Sequence, residues 1–162
     1  MTNYLKQQFI EEGETTRKML ALVKEDDFGF KPHPKSMDLK TLAGHIADLP
    51  GWVHMTLTTD ELDFATHPEP DPKPTADAMR DYFEQRYAEG LSVLTSDIEA
   101  QFSNPWTLRH GETVYVTDTK LEILRMSLSQ QIHHRAQLGV YLRLLEIPIP
   151  GSYGPSADDA SF

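Results

Sequence analysis

Apolar residues recur at helical spacing along most of this chain, and in one short stretch they alternate instead. From about Asn3 to Lys24 the positions Leu5, Phe9, Met19, Leu20 and Val23 fall on one face, Thr16 shares it, and no proline interrupts; this predicts a first helix. Asp26 to Met37 carries Gly29, Pro32 and Pro34, which cannot continue a helix and predict an extended connection. Asp38 then has the position and chemistry of an N-cap. A second helix follows, with Leu39, Leu42, Ile46, Leu49 and Val53 as its apolar stripe. His45 projects to one side, bracketed by Leu42, Leu49 and Trp52. Pro50-Gly51 should bend or end this helix, because proline lacks the donor and clashes with the carbonyl four residues back.

Between Thr59 and Pro74 four prolines and several acids predict a loop long enough to be a flap, or equally a solvated crossover. Thr75 can cap a third helix with Met79, Tyr82, Phe83, Leu91, Leu94 and Ile98 on its core face, and Gly90 there permits a neighbour's close approach. The period changes over Trp106–Val116, where alternation on either side of His110-Gly111 predicts a small two-stranded ribbon. Thr119 and Glu122 form a capping-box pattern that launches the last helix, through about Glu146. The tail Ile147–Pro155 is too rich in proline to be helical. The expectation is one domain over 1–162, all-α: a four-helix bundle with a long loop between helices two and three and a small β-ribbon before the last helix.

The last helix carries the most informative stretch, Gln130–Leu138. Residues three and four apart lie one above the other on a helix, so Ser127, Gln130, His134, Gln137 and Tyr141 form a polar stripe. It is expected to face inward between Met126, Val140 and Leu144 on one flank and Leu124, Leu128, Leu138, Leu142 and Leu145 on the other. Arg125, Ser129, Ala136 and Arg143 remain as the solvated strip. Buried polar groups need partners, so the stripe implies a hydrogen-bonded network, a metal or a ligand.

Composition narrows the choices. Fifteen basic against twenty-five acidic residues give a formal charge of −10, which argues against nucleic acid and against an anionic membrane surface. The chain has no cysteine, so a metal site would have to use His, carboxylate, amide or water. No apolar run approaches the length of a membrane span, and the N-terminus is polar from its start, so a cytoplasmic location is expected.

Three segments, LAGHIADLPGW at Leu42–Trp52, HHRAQL at His133–Leu138 and PGSYGP at Pro150–Pro155, together with KPHPKSM at Lys31–Met37, resemble the DinB/YfiT-like superfamily over nearly the whole chain. That resemblance implies a four-helix bundle and a divalent metal, zinc or nickel, held by a His on helix two and a pair four residues apart on the last helix. Residue by residue these are His45, Gln130 and His134. Gln130 departs from the His or Glu of other branches, and a neutral amide is a weaker ligand that leaves the metal's charge uncompensated. His133, about 100° around the helix from His134, is expected to be a hydrogen-bonding or interface residue.

The resemblance further implies a thiol-dependent transferase or a hydrolase acting on a small electrophile, with a low-molecular-weight thiol as partner, and a homodimer. Asp48, three residues after His45, is either an orienting group or base for the site or a surface carboxylate. Trp52, Tyr141 and Tyr153 either wall the pocket or simply pack. The competing expectation, which Gln130 favours, is a degenerate, metal-free member that binds a small molecule or serves as a dimeric structural protein.

Overall fold

The structure, a computed structural model, describes residues 1–67 and 73–160. Its elements in chain order are α1 (Thr2–Leu20), α2 (Leu39–Asp48), α3 (Gly51–Thr58), β1 (Glu61–Asp63), α4 (Ala76–Ser92), β2 (Pro105–His110), β3 (Thr113–Thr119) and α5 (Lys120–Leu144), with short 3-10 turns at Glu25–Asp27 and Ile98–Gln101. The all-α expectation is therefore corrected: five α-helices are joined by a three-stranded mixed sheet in the order β1-β2-β3.

The anticipated ribbon is the antiparallel pair β2–β3, but β1 adds a parallel strand beside β2, Glu61 opposite Thr107 and Asp63 opposite Arg109. Three residues are too few to show a period. The strand is held by tertiary contacts: Arg109 grips Glu61 through Nε and Nη2 at 3.0 and 2.7 Å, and Asp63 Oδ1 accepts the amides of Gly111 and Ala65 at 2.8 and 2.9 Å. Those amides, first of all, hold the Asp63 carboxyl below the usual carboxylate range. Gly111 turns the hairpin at φ +56°, a conformation that side chains disfavour. Residues 68–72 of the loop expected over Thr59–Pro74, and with them its reading as a flap, lie outside the described residues.

Local chemistry sets the helix starts. Asp38, Thr75 and Thr119 each accept an amide hydrogen bond from the residue three positions on, at 2.8, 3.1 and 3.3 Å. The capping box at Thr119 is only half made, because Asp118 takes the Thr119 amide at 2.7 Å while Glu122 pairs with Arg125.

Pro50 divides the expected second helix into α2 and α3. The backbone crosses the break by tighter bonds, Trp52 N–H to the Leu49 carbonyl at 3.1 Å and Val53 N–H to that of Pro50 at 3.3 Å. The Ser127 hydroxyl donates to the Leu49 carbonyl at 3.2 Å and ties the bend to α5. On the other side α4 comes so close that a Cβ on Gly90 would lie 2.6 Å from the Pro50 oxygen. The core has two parts, one around Leu20, Leu42, Ile46, Met79, Phe83, Leu138 and Leu142, the other around Phe9, Val53, Leu94, Ile98, Leu124 and Leu128.

On α5 the orientation differs from the expected one. Gln130 is exposed, as are Val140 and Leu144, whereas Gln131 and Arg135 are buried. Gln131 Nε2 donates to Thr16 Oγ1 at 3.0 Å. Arg135 Nη1 donates to the Glu12 carbonyl at 3.1 Å and lies 2.6 Å from Glu12 Oε2. A paired guanidinium can occupy a core position that the pattern reserves for apolar residues, which turns the helix face. The solvated strip of Arg125, Ser129, Ala136 and Arg143 is exposed as read.

Candidate functional site

The bend at Pro50 leaves His45 in the last turn of α2, facing α5, where it meets His134. The two imidazoles are perpendicular, at 86°, with ring centres 4.7 Å apart, and both are half-buried. His134 Nδ1 lies 2.8 Å from Gln137 Oε1, one turn further along α5. An amide oxygen can only accept. Nδ1 must therefore carry the hydrogen, and the lone pair of a neutral His134 is on Nε2. Burial, the largest influence, lowers the His134 pKa below its ordinary value, against the Gln137 hydrogen bond. Burial favours the neutral ring and the Gln137 bond fixes which nitrogen holds its lone pair, the state a metal ligand requires.

The remaining expected residues separate into those near this pair and those held elsewhere. His133 packs against His134, with ring centres 5.0 Å apart, but it stands on the exposed face. Gln130 lies one turn before His134 on the lip of an open groove of about 480 Å³, lined by Arg125, Met126, Ser129, Gln130, His133 and His134. Asp48 points to α4: Tyr82 donates to it at 2.5 Å, Trp52 Nε1 at 3.3 Å, and Arg86 Nε lies at 3.3 Å. Burial and the Asp48 bond together push the Tyr82 hydroxyl well above its ordinary pKa.

Trp52 thus spans Asp48 and the ring of Trp106. Tyr141 is a core residue whose hydroxyl donates to the Met37 carbonyl at 3.1 Å. Tyr153 folds the tail back onto α1, donating to Glu12 Oε1 at 2.7 Å and accepting from Arg135 Nη2 at 3.0 Å. The polar cluster of Glu12, Thr16, Gln131, Arg135 and Tyr153 was not read from the sequence. Its signal was there in the four-residue spacing of Glu12 and Thr16 on α1 and of Gln131 and Arg135 on α5.

Two imidazoles bound at about 2 Å to a tetrahedral cation would have ring centres about 5 Å apart. The observed ring separation fits a divalent cation of borderline softness such as zinc or nickel. Among the described residues no group of three His, Cys, Asp or Glu side chains converges on one centre, so the rest of the shell would come from the Gln130 amide, water or a ligand.

A family model described as the DinB family matches residues 1–161. A DinB-like protein from Bacillus subtilis has a solved structure similar to this one, with a TM-score of 0.71 and 18% identity over 92% of this chain and 97% of that one. Another, from Bacillus cereus, has a TM-score of 0.69 and 21% identity over 92% and 95%. At such identities the likeness concerns the fold. No curated protein matches the chain. Among the described residues no helix is long and apolar enough to cross a membrane.

Proposed function

The chain belongs to the DinB family, and from that premise we infer that His45 and His134 hold a divalent cation, zinc or nickel, in a metal-dependent enzyme acting on a small electrophile. The observation that carries this reading is the perpendicular imidazole pair across α2 and α5, with His134 anchored through Nδ1 by Gln137. When bound, the cation would act as a Lewis acid that lowers the pKa of a low-molecular-weight thiol or a water and fixes its direction of attack, as a transferase or a hydrolase requires.

The protein's own part is positional. The Pro50 bend and the Ser127 tether to the Leu49 carbonyl set the end of α2 against α5. Gln137 fixes the tautomer of His134, and the open groove borders His134. The test is elemental analysis of protein purified without a nickel column, followed by zinc calorimetry of the parent, His45→Ala, His134→Ala and His133→Ala. Stoichiometric metal, lost on replacing His45 or His134 and kept on replacing His133, is expected. Unaltered zinc binding in His45→Ala or His134→Ala would remove the reading.

One observation favours a second function. Gln130 is neutral and exposed, so a site built on two imidazoles alone would bind metal weakly. The chain would then serve as a small-molecule-binding or dimeric protein that works without metal.

A further inference from the structure

Among the described residues the sheet has an unpaired outer edge. β3 has β2 on one side only, and its Val114 and Tyr115 are 56% and 59% exposed. The direction of its backbone groups follows from β2. Thr107 N–H donates to the Asp60 carbonyl at 3.0 Å, and the Arg109 carbonyl accepts Phe64 N–H at 3.0 Å. The N–H and C=O of one strand residue point to the same side, so Thr107 and Arg109 turn theirs towards β1. Their partners on β3, Thr117 and Val114, therefore turn theirs outward. The Thr107 and Thr117 hydroxyls, 3.0 Å apart, fit the closer side-chain approach of such a pair. Among the described residues no backbone group outside the sheet bonds to Val114 or Thr117. Tyr115 is the extra residue of a bulge between them. No proline or lysine, the usual guards of an open edge, stands between Thr113 and Thr119.

We propose that this edge pairs with the same edge of a second copy, antiparallel about a two-fold axis, and so joins two sheets into one. Outward residues must meet outward residues, which sets Val114 of each copy opposite Thr117 of the other. The two-fold makes this pair twice and closes about four backbone hydrogen bonds. Charge points to a copy of this chain as the occupant. At a formal charge of −10 two copies repel over most of their surface, whereas β3 carries the single charge of Asp118. A basic partner would find one carboxylate here; a neutral, β-branched strand finds its like. In the register described Asp118 faces Thr113 of the other copy. The two Asp118 residues then stand about 13 Å apart along the strands, beyond the screening length of about 8 Å at physiological salt. Because pairing consumes the edge, assembly stops at the dimer.

Sedimentation velocity of the parent is expected to show a reversible monomer–dimer equilibrium with a Kd on the order of 10–100 µM, as suits a seam of one strand pair. Added salt should tighten it, since screening relieves repulsion between acidic chains. Thr117→Pro removes an outward N–H alone, so it should abolish the dimer and leave the circular dichroism of the monomer unchanged. Tyr115→Glu brings two carboxylates near the two-fold axis and should weaken dimerisation about tenfold or more. Val140→Glu, on the exposed face of α5, should dimerise as the parent does. Hydrogen exchange at the Val114 and Thr117 amides should slow as protein concentration rises through the Kd. If Thr117→Pro fails to fold, Tyr115→Glu and the exchange rates carry the test. A parent still monomeric at about ten times the upper Kd, exchange at both amides independent of concentration, assembly beyond the dimer, or a dimer lost in Val140→Glu and kept in Tyr115→Glu would overturn the proposal.

Discussion

Arg135 of α5 and Glu12 of α1 form an ion pair at 2.6 Å with side chains only 3% and 7% exposed, and Tyr153 from the C-terminal tail closes over it by bonding to both. Taking one charge from such a pair strands the other in a medium that solvates it poorly. Glu12→Gln is therefore expected to destabilise the fold by about 3–5 kcal/mol, while Glu12→Met combined with Arg135→Met should cost much less. Urea unfolding of the three proteins reads this directly. A double variant as unstable as the single one would mean that the hydrogen bonds to Thr16 and the Glu12 carbonyl, rather than the charges, hold the helices together.

The exposure of Gln130 makes it a suitable place to strengthen the candidate metal site. Gln130→His adds an imidazole, Gln130→Glu a carboxylate with compensating charge, and either should tighten zinc binding. Because this position is solvated, the metal-free variants should lose little stability, and the gain should appear as a larger zinc-dependent rise in Tm than the parent shows. If zinc calorimetry finds both variants unchanged, Gln130 does not reach the centre between His45 and His134.

The lowered pKa of His134 makes a statement about stability. Its folded value lies below the ordinary 6.5 because burial disfavours the imidazolium. The unfolded chain thus binds the proton more readily, and stability rises with pH where the two states differ in protonation. The contribution is complete above about pH 6.5 and is lost as the pH falls through the folded value. Metal-free parent and His134→Ala, unfolded in urea between pH 7.5 and 5, should diverge in slope, the parent losing more stability on acidification. Parallel profiles would contradict the assigned cause.

Asp48 gathers Tyr82, Trp52 and Arg86 at the junction of α2 and α4. Asp48→Ala removes a charged acceptor from three donors at once and should cost about 1–3 kcal/mol. Zinc affinity is expected to stay near the parent's if anchoring is the residue's whole role. A fall of tenfold or more would give Asp48 a part in orienting His45 as well.

Much of the helical framework was legible because its causes are local. The N-caps at Asp38, Thr75 and Thr119, the break at Pro50-Gly51 and the turn at Gly111 each depend on the conformational limits of a few adjacent residues. The family pattern marked His45 and His134, and the helical period put His133 elsewhere. Tertiary structure alone decided three things. It made Glu61–Asp63 a strand, since only pairing with β2 and the grip of Arg109 give three residues a reason to be extended. It set the azimuth of α5, because Arg135 looks like a surface residue until Glu12, 123 positions away, neutralises it in the core. And it turned Asp48 towards Tyr82 and Arg86 while bringing two imidazoles 89 residues apart to a ring-centre distance of 4.7 Å. A sequence carries the propensity of each residue in its own neighbourhood; which distant charge or ring completes it is fixed only when the helices pack.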